Sequence, residues 1–103
     1  MAKKRFSFSM NYEAICKDRN VKYITSNYQI YNKQLYKILE ILGYKKDTWQ
    51  GREINAPLII TSNNTIEEET IRLTTAIKEI PQWVKYCLKA TLTEEPKYQD
   101  IIK

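Results

Sequence analysis

Hydrophobic and polar residues alternate strictly in the stretch RFSFSMNY, which spans residues 5–12. The two sets of side chains are Phe6, Phe8, Met10 and Tyr12 on one side and Arg5, Ser7, Ser9 and Asn11 on the other. This alternation predicts a strand from about Lys4 to Tyr12 with one buried face. The polar set then faces water, a second subunit or a substrate.

A helical pattern follows the polar, irregular stretch EAICKDRNVKYIT. SNYQ matches a capping box, with Ser26 as N-cap and Gln29 three residues later. Apolar side chains then recur with helical spacing at Tyr31, Leu35, Ile38 and Leu42. Gly43 is the residue type expected just beyond a helix end, so the pattern predicts a helix over 26–42.

The middle of the chain predicts two strands. A turn at Lys46–Asp47 leads into a strand around Thr48–Ile54, where Gly51 is a candidate bulge. Asn55–Pro57 forms the next turn. LIITS is a short, nearly continuous apolar run, which is typical of a central strand.

A second helix is predicted from TIEE, a capping box formed by Thr65 and Glu68. The three carboxylates at 67–69 are favoured at the positive end of this helix, and this structural role is preferred to a metal cluster. The buried stripe comprises Ile66, Thr70, Leu73, Ile77 and Ile80, and Pro81 lies at the stop.

The C-terminal part predicts one more strand, because WVKYCLKATLTEE alternates again. Its apolar face is formed by Val84, Tyr86, Leu88, Ala90 and Leu92. An alternative extends the second helix through Gln82–Tyr86. The closing KYQDIIK is expected to be a short helix or a tail, within 96–103.

This element order, β-α-β-β-α-β, predicts an α+β protein with a ferredoxin-like fold in a single domain, 1–103. Its four-stranded antiparallel sheet would carry two helices on one face. Ser7, Ser9 and Asn11 would lie on the other face. If the last strand lies beside the first, Lys85, Lys89 and Thr91 lie there too.

Composition excludes several kinds of chemistry. The chain has no histidine, which excludes Ser-His-Asp and Cys-His catalysis and histidine zinc sites within one chain. Its two glycines cannot build a P-loop or a dinucleotide fingerprint. Two widely spaced cysteines, no apolar run of membrane-span length and no signal peptide predict a cytoplasmic protein with reduced thiols.

Positive charge is concentrated in the first half of the chain. The net charge is +7 over residues 1–52 and −2 over 53–103. The basic residues near the first helix are candidates for phosphate contacts, namely Lys33, Lys37, Lys45, Lys46 and Arg52. Tyrosines are interleaved with basic residues, as in proteins that hold single-stranded nucleic acid: Tyr23, Tyr28, Tyr36 and Tyr44 lie near Lys22, Lys33, Lys37 and Lys45. Tyrosines that cover the rim of a core give the same pattern, and that interpretation is preferred. LIITS has no aromatic residue, which argues against an RNA-recognition motif.

Five local motifs carry a resemblance to a known family: RFSFSM, LEILGY, WQGRE, TAIKEIPQW and YQDIIK. In their order and spacing they resemble the VapD family of toxin–antitoxin systems, small ferredoxin-like proteins related to the small nuclease subunit of CRISPR adaptation. The resemblance extends from Arg5 to Lys103. It implies a homodimer that cleaves RNA.

The resemblance also implies a catalytic aspartate near the end of the first strand, and this chain lacks it. Ser9, Met10 or Asn11 occupies the matching positions. The nearest candidate is Glu13, as base or metal ligand, provided that the strand ends early and turns this side chain inward. Asn11 and Tyr12 would position the phosphate. Lys85 or Arg5 would stabilise the developing negative charge.

Three functions follow from these observations. The first is a VapD-like endoribonuclease with an altered site, with no cofactor or with a divalent metal. The second is an RNA-binding relative that has lost catalysis. The third is a non-catalytic interaction protein of phage or mobile-element origin, which binds a protein or its own copy.

Overall fold

A computed structural model describes residues 2–46, 57–94 and 97–102 of the chain. The described helices and strands are, in chain order, β1 (Ala2–Met10), α1 (Tyr12–Arg19), α2 (Thr25–Tyr28), α3 (Ile30–Ile41), β2 (Lys45–Lys46), β3 (Leu58–Ser62), α4 (Ile66–Ile77), α5 (Pro81–Tyr86), β4 (Cys87–Glu94) and β5 (Lys97–Ile102). The chain is therefore an α+β protein, as the sequence predicts.

The sheet has five strands in the order β2-β3-β1-β4-β5, and every neighbouring pair is antiparallel. The prediction of four strands followed by a C-terminal helix or tail is wrong, because KYQDII pairs with β4 as an edge strand. The strand predicted around Thr48–Ile54 lies outside the described residues. Within the described part, Lys45 and Lys46 pair with β3.

The alternation along β1 separates a packed face from an open face. Phe6 is fully buried and Met10 is nearly so, whereas Ser7 and Ser9 are exposed. The strand ends at Met10 rather than at Tyr12, so the predicted strand is two residues too long. The packed face joins one hydrophobic core with residues of the neighbouring strands and the helices, including Leu35, Leu39, Leu58, Ile60, Leu73, Ile77, Trp83, Ala90 and Leu92.

Helix α1 replaces the irregular connection that the sequence predicts after the first strand. The Oδ1 atom of Asn11 accepts a hydrogen bond from the backbone N–H of Ala14, which caps the helix N-terminus. Asn20, in the left-handed conformation at φ 55°, ends it. Ile15 and Cys16 are its buried residues. This short apolar contact is enough to dock a helix whose other residues are mostly polar.

The capping box predicted at Ser26 is wrong. Ser26 lies inside the short helix α2, and the chain turns at Gln29 before α3 begins at Ile30. The apolar stripe of α3 does face the core, with Leu35 fully buried. The predicted end of this helix is confirmed. Gly43 directly follows the C-cap residue Leu42 and has a left-handed backbone, with φ +102°.

The capping box of α4 is confirmed. The hydroxyl of Thr65 accepts from the backbone N–H of Glu68, and the carboxylate of Glu68 accepts from the backbone N–H of Thr65. Pro81 lies beyond this helix but also opens α5, so β4 begins only at Cys87. The alternative of a helix through Gln82–Tyr86 therefore describes the chain better than the long strand does.

Candidate nucleic-acid interface

The open face of the sheet is polar and basic. Directly opposite residues of antiparallel strands lie on the same face, so the residues of β1 that alternate with its core residues define the centre of this face. We call it the open face, and its described members are Lys3, Arg5, Ser7 and Ser9 of β1, Thr93, Thr91 and Lys89 of β4, Ile59 and Thr61 of β3, Lys45 of β2 and Asp100 of β5.

The centre of the open face holds a shallow depression of about 200 Å³. It is lined by Ser7, Phe8, Ser9, Lys89 and Thr91. The wall of the depression is mainly apolar. Its polar groups are the hydroxyls of Ser7 and of Thr91 opposite it, and the hydroxyl of Ser9 and the ammonium group of Lys89 opposite it. Such groups donate hydrogen bonds to anionic oxygens.

Charge on the open face is mainly positive. Lys3, Arg5, Lys45 and Lys89 are all exposed, and Asp100 is the one carboxylate that the register of the described strands places there. These cations lie on three of the four adjacent strands β2, β3, β1 and β4, since β3 carries none of them. Since neighbouring strands are about 4.8 Å apart, they present a broad positive surface rather than a single point charge.

The three candidate catalytic residues lie together where β1 ends and α1 begins. Asn11 is exposed, but its Oδ1 atom caps α1. Glu13 is exposed in the first turn of α1, so the early end of the strand does not turn it inward. Tyr12 is half-buried and accepts a hydrogen bond from Asn32 Nδ2 at 3.0 Å.

Tyr12 is a hydrogen-bond donor at neutral pH rather than a base. Burial raises the pKa of its phenol, and the hydrogen bond from Asn32 offsets only part of this effect. Among the described residues, no group of three or more Cys, Asp or Glu side chains is arranged to hold a metal ion.

The candidate phosphate-binding residues are divided between several places. Arg5 and Lys45 belong to the open face, whereas Lys33 and Lys37 are exposed on α3. Lys46 points to the other side of β2, where its Nζ atom lies 4.6 Å from the ring centre of Tyr36. Arg52 lies outside the described residues.

Lys85 is placed beside an acid rather than on the open face. It lies on α5, and its Nζ atom is 3.9 Å from Asp18 Oδ2. Tyr86 donates a hydrogen bond of 2.6 Å to the same oxygen, and this bond raises the pKa of Tyr86 to about 12. The prediction that Lys85 shares the face of Ser7 is therefore wrong, because the strand begins two residues later.

One of the three carboxylates at 67–69, Glu69, has a structural role, but its partners are side chains rather than the helix N-terminus alone. Glu69 is fully buried, and it accepts hydrogen bonds from Tyr44, Ser62, Asn64 and Arg72. Burial alone would raise its pKa, but the hydrogen bonds from Ser62 and Asn64 and the charge of Arg72 hold the pKa below its ordinary value. The carboxylate is fully occupied in binding α4 to β3.

The sequence does not predict that three tyrosines near α2 contact one another. The rings of Tyr12 and Tyr28 are 4.6 Å apart and those of Tyr28 and Tyr23 are 5.0 Å apart. The spacing of these residues shows no helical or strand period. The available signal was the density of tyrosine and basic residues between positions 17 and 31.

The comparisons with known proteins identify no relative: no family model, no curated protein and no solved structure matches the chain. None of the described helices has the length and apolar character needed to cross a membrane.

Proposed function

We propose that the chain binds single-stranded RNA across the open face of its sheet. The observation that carries this proposal is the placement of Lys3, Arg5, Lys45 and Lys89 on one exposed surface, with serine and threonine hydroxyls between them. Lysine and arginine neutralise phosphates, and hydroxyl groups donate to phosphate and sugar oxygens. A flexible single strand can follow such a surface without a groove of defined width.

The resemblance to VapD-like proteins agrees with this proposal. Support comes from the order of the first four strands, β2-β3-β1-β4, with helices in both long connections, which is the arrangement expected of a ferredoxin-like protein. In this proposal β5 is an addition at the edge of β4.

RNA cleavage is a second candidate function, favoured by one observation. Asn11 and Glu13 are exposed just beyond Ser9, so an RNA strand on the open face would reach them at the end of β1. Glu13 is a single carboxylate with no second one assigned to the site. RNA binding is therefore the main proposed function, and RNA cleavage at the end of β1 is a separate candidate activity.

The experiment is a titration of labelled single-stranded RNA, followed by fluorescence anisotropy at several salt concentrations. The variant Lys3→Ala/Arg5→Ala/Lys89→Ala removes three cations from the open face, and Lys78→Ala removes an exposed cation beyond the end of α4. Each phosphate contact contributes about 0.7 to the slope of log affinity against log salt. We expect the triple variant to lower this slope by about 2, and Lys78→Ala to leave it unchanged.

Equal binding by the triple variant and the wild type would reject the open face as the RNA site. No RNA binding by the wild type, together with a concentration-dependent dimer that the triple variant abolishes, would assign the face to a subunit interface. Incubation of the same RNA with Mg²⁺ or EDTA, using Asn11→Ala/Glu13→Ala as the comparison, tests cleavage independently.

A further inference from the structure

Three tyrosines form a continuous series of ring contacts from the core to the surface, which we call the tyrosine ladder. Tyr12 contacts Tyr28 with ring centres 4.6 Å apart, and Tyr28 contacts Tyr23 at 5.0 Å. The planes are tilted by 40° and 38°. Exposure increases outward, from the half-buried Tyr12 to Tyr23, which is 57% exposed.

The inner end of the ladder is held by the core. Asn32, itself buried, donates to the hydroxyl of Tyr12 at 3.0 Å and accepts from the indole N–H of Trp83 at 2.9 Å. Trp83 is fully buried. Tyr12 is therefore fixed in position, and its ring supports the ring of Tyr28.

The outer end is held by hydrogen bonds within the loop and α2. Asn27 Nδ2 donates to the backbone carbonyl of Lys22 at 2.8 Å, which holds the residue before Tyr23 against α2. Arg19 Nη1 donates to the backbone carbonyl of Asn27 at 3.1 Å, so its guanidinium lies beside the residue that precedes Tyr28. An exposed ring supported in this way is already ordered, which lowers the entropic cost of binding to it.

Charge around the exposed ring is positive. Lys17, Arg19 and Lys22 are exposed on α1 and in the loop that leads to Tyr23. The acids of α1 are Glu13 in the first turn and Asp18, and Asp18 accepts from Tyr86 and is paired with Lys85. The cations therefore dominate at the C-terminal end of α1 and in the loop that carries Tyr23.

We propose that the tyrosine ladder is a stacking site for an unpaired RNA base, which binds on the exposed ring of Tyr23 while Arg19 and Lys22 contact the adjoining phosphates. This inference rests on the proposed RNA binding and adds a second contact, away from the open face. Aromatic side chains that stack on bases, combined with cations that follow the backbone, are the elements with which proteins hold single-stranded nucleic acid. Stacking tolerates every base, so the site contributes affinity rather than sequence specificity.

The test compares an RNA oligonucleotide with the same backbone lacking its bases, using wild type and Tyr23→Leu. Stacking contributes a factor of about ten in affinity per base. For each protein the measured quantity is the ratio of its affinity for the base-containing RNA to its affinity for the RNA without bases. We expect this ratio to be about ten times larger for the wild type than for Tyr23→Leu. Tyr23→Trp keeps a ring and should restore the preference. Ile24→Ala, which removes a neighbouring side chain that is 51% exposed, serves as the matched control.

The outcomes separate this inference from the proposed function. If Tyr23→Leu keeps the full preference for bases while the open-face variant loses affinity, the ladder is not a base site and the proposed function stands. If the leucine variant alone loses the preference, the ladder is the base site whatever the open face binds. An equal loss in Tyr23→Leu and Ile24→Ala would show a general apolar contact, as for a protein partner, and would overturn the inference.

Discussion

The two faces of strand β1 differ in what their charged residues require. On the packed face Lys4 is fully buried, and its Nζ atom lies 3.0 Å from Glu94 Oε2. On the open face Lys3 and Lys89 are exposed to water. A buried charge needs a partner in the structure because its hydration is lost. An exposed one retains its hydration, so it can exchange water and ions for a phosphate.

The same contrast applies to the carboxylates. Glu69 is surrounded by donors and its role is to hold α4 against the sheet, whereas Glu13 is exposed near the end of β1. A carboxylate with all its acceptor sites occupied has little capacity left for chemistry. The comparison therefore assigns stability to the packed face and binding to the open face, and the following predictions test that division.

The largest expected effect separates two neighbouring residues of one strand. Phe6→Ala should lower the free energy of unfolding by about 3–5 kcal/mol, because it leaves a cavity in the core. Ser7→Ala, on the open face, should change it by less than about 0.5 kcal/mol. Urea denaturation followed by circular dichroism measures both. Similar losses in the two variants would contradict the assignment of the faces.

A smaller effect is expected at the buried carboxylate. Glu69→Gln should lower the free energy of unfolding by about 2 kcal/mol at pH 7, because the hydrogen bonds to a charged acceptor are lost or weakened. Glu67→Gln, exposed in the same turn, is the matched control and should change it by less than about 0.5 kcal/mol.

The difference in the free energy of unfolding between the wild type and Glu69→Gln should also depend on pH. The folded-state pKa of Glu69 lies below its ordinary value of 4.5, so the unfolded chain binds more protons below pH 4.5 and the wild type loses stability as the pH falls. Glu69→Gln lacks this contribution. The difference between the two proteins should therefore shrink between pH 5 and pH 3 in urea titrations, and a constant difference would contradict the assigned charge.

The smallest effect concerns Tyr36, whose buried hydroxyl has no hydrogen-bond partner within the described part of the chain. Burial raises its pKa to about 12. The folded protein therefore retains this proton as the pH rises above 10, and stability falls there. Tyr36→Phe should be neutral or stabilising by about 1 kcal/mol at pH 7 and should lose less stability between pH 9 and pH 11. Thermal unfolding of the wild type and of Tyr36→Phe at pH 7, 9 and 11 measures both the stability difference and its dependence on pH.

Local patterns predicted the elements whose signals are complete within a few residues. The alternation in β1, the Thr65 capping box and the turn at Gly43 are of this kind. The sequence of helix α1 shows no helical period, because its buried residues are only Ile15 and Cys16. The alternation predicts a strand residue at Asn11, although asparagine is also a preferred N-cap.

The last strand and the turn before α3 could not be predicted from local patterns. KYQDII has no alternation, and it becomes a strand because β4 offers an open edge. SNYQ matches a capping box, yet the chain turns at Gln29, whose Oε1 atom accepts a hydrogen bond from Asn32 Nδ2 in the interior. Of the polar set predicted for the first strand, Arg5, Ser7 and Ser9 lie on the open face, whereas Asn11 lies beyond the strand and caps α1. The tyrosine ladder depends on contacts between α1, α2 and the intervening loop, which only the fold brings together.

The most direct test of the division between the faces is an NMR titration of the ¹⁵N-labelled protein with single-stranded RNA. The account predicts that the backbone amide shifts of Lys3, Ser7, Ser9, Lys89 and Thr91 move with RNA concentration, while those around Ile71 and Lys78 on the helical side stay unchanged. Shifts concentrated on α4, with the amides of the open face unaffected, would contradict the account.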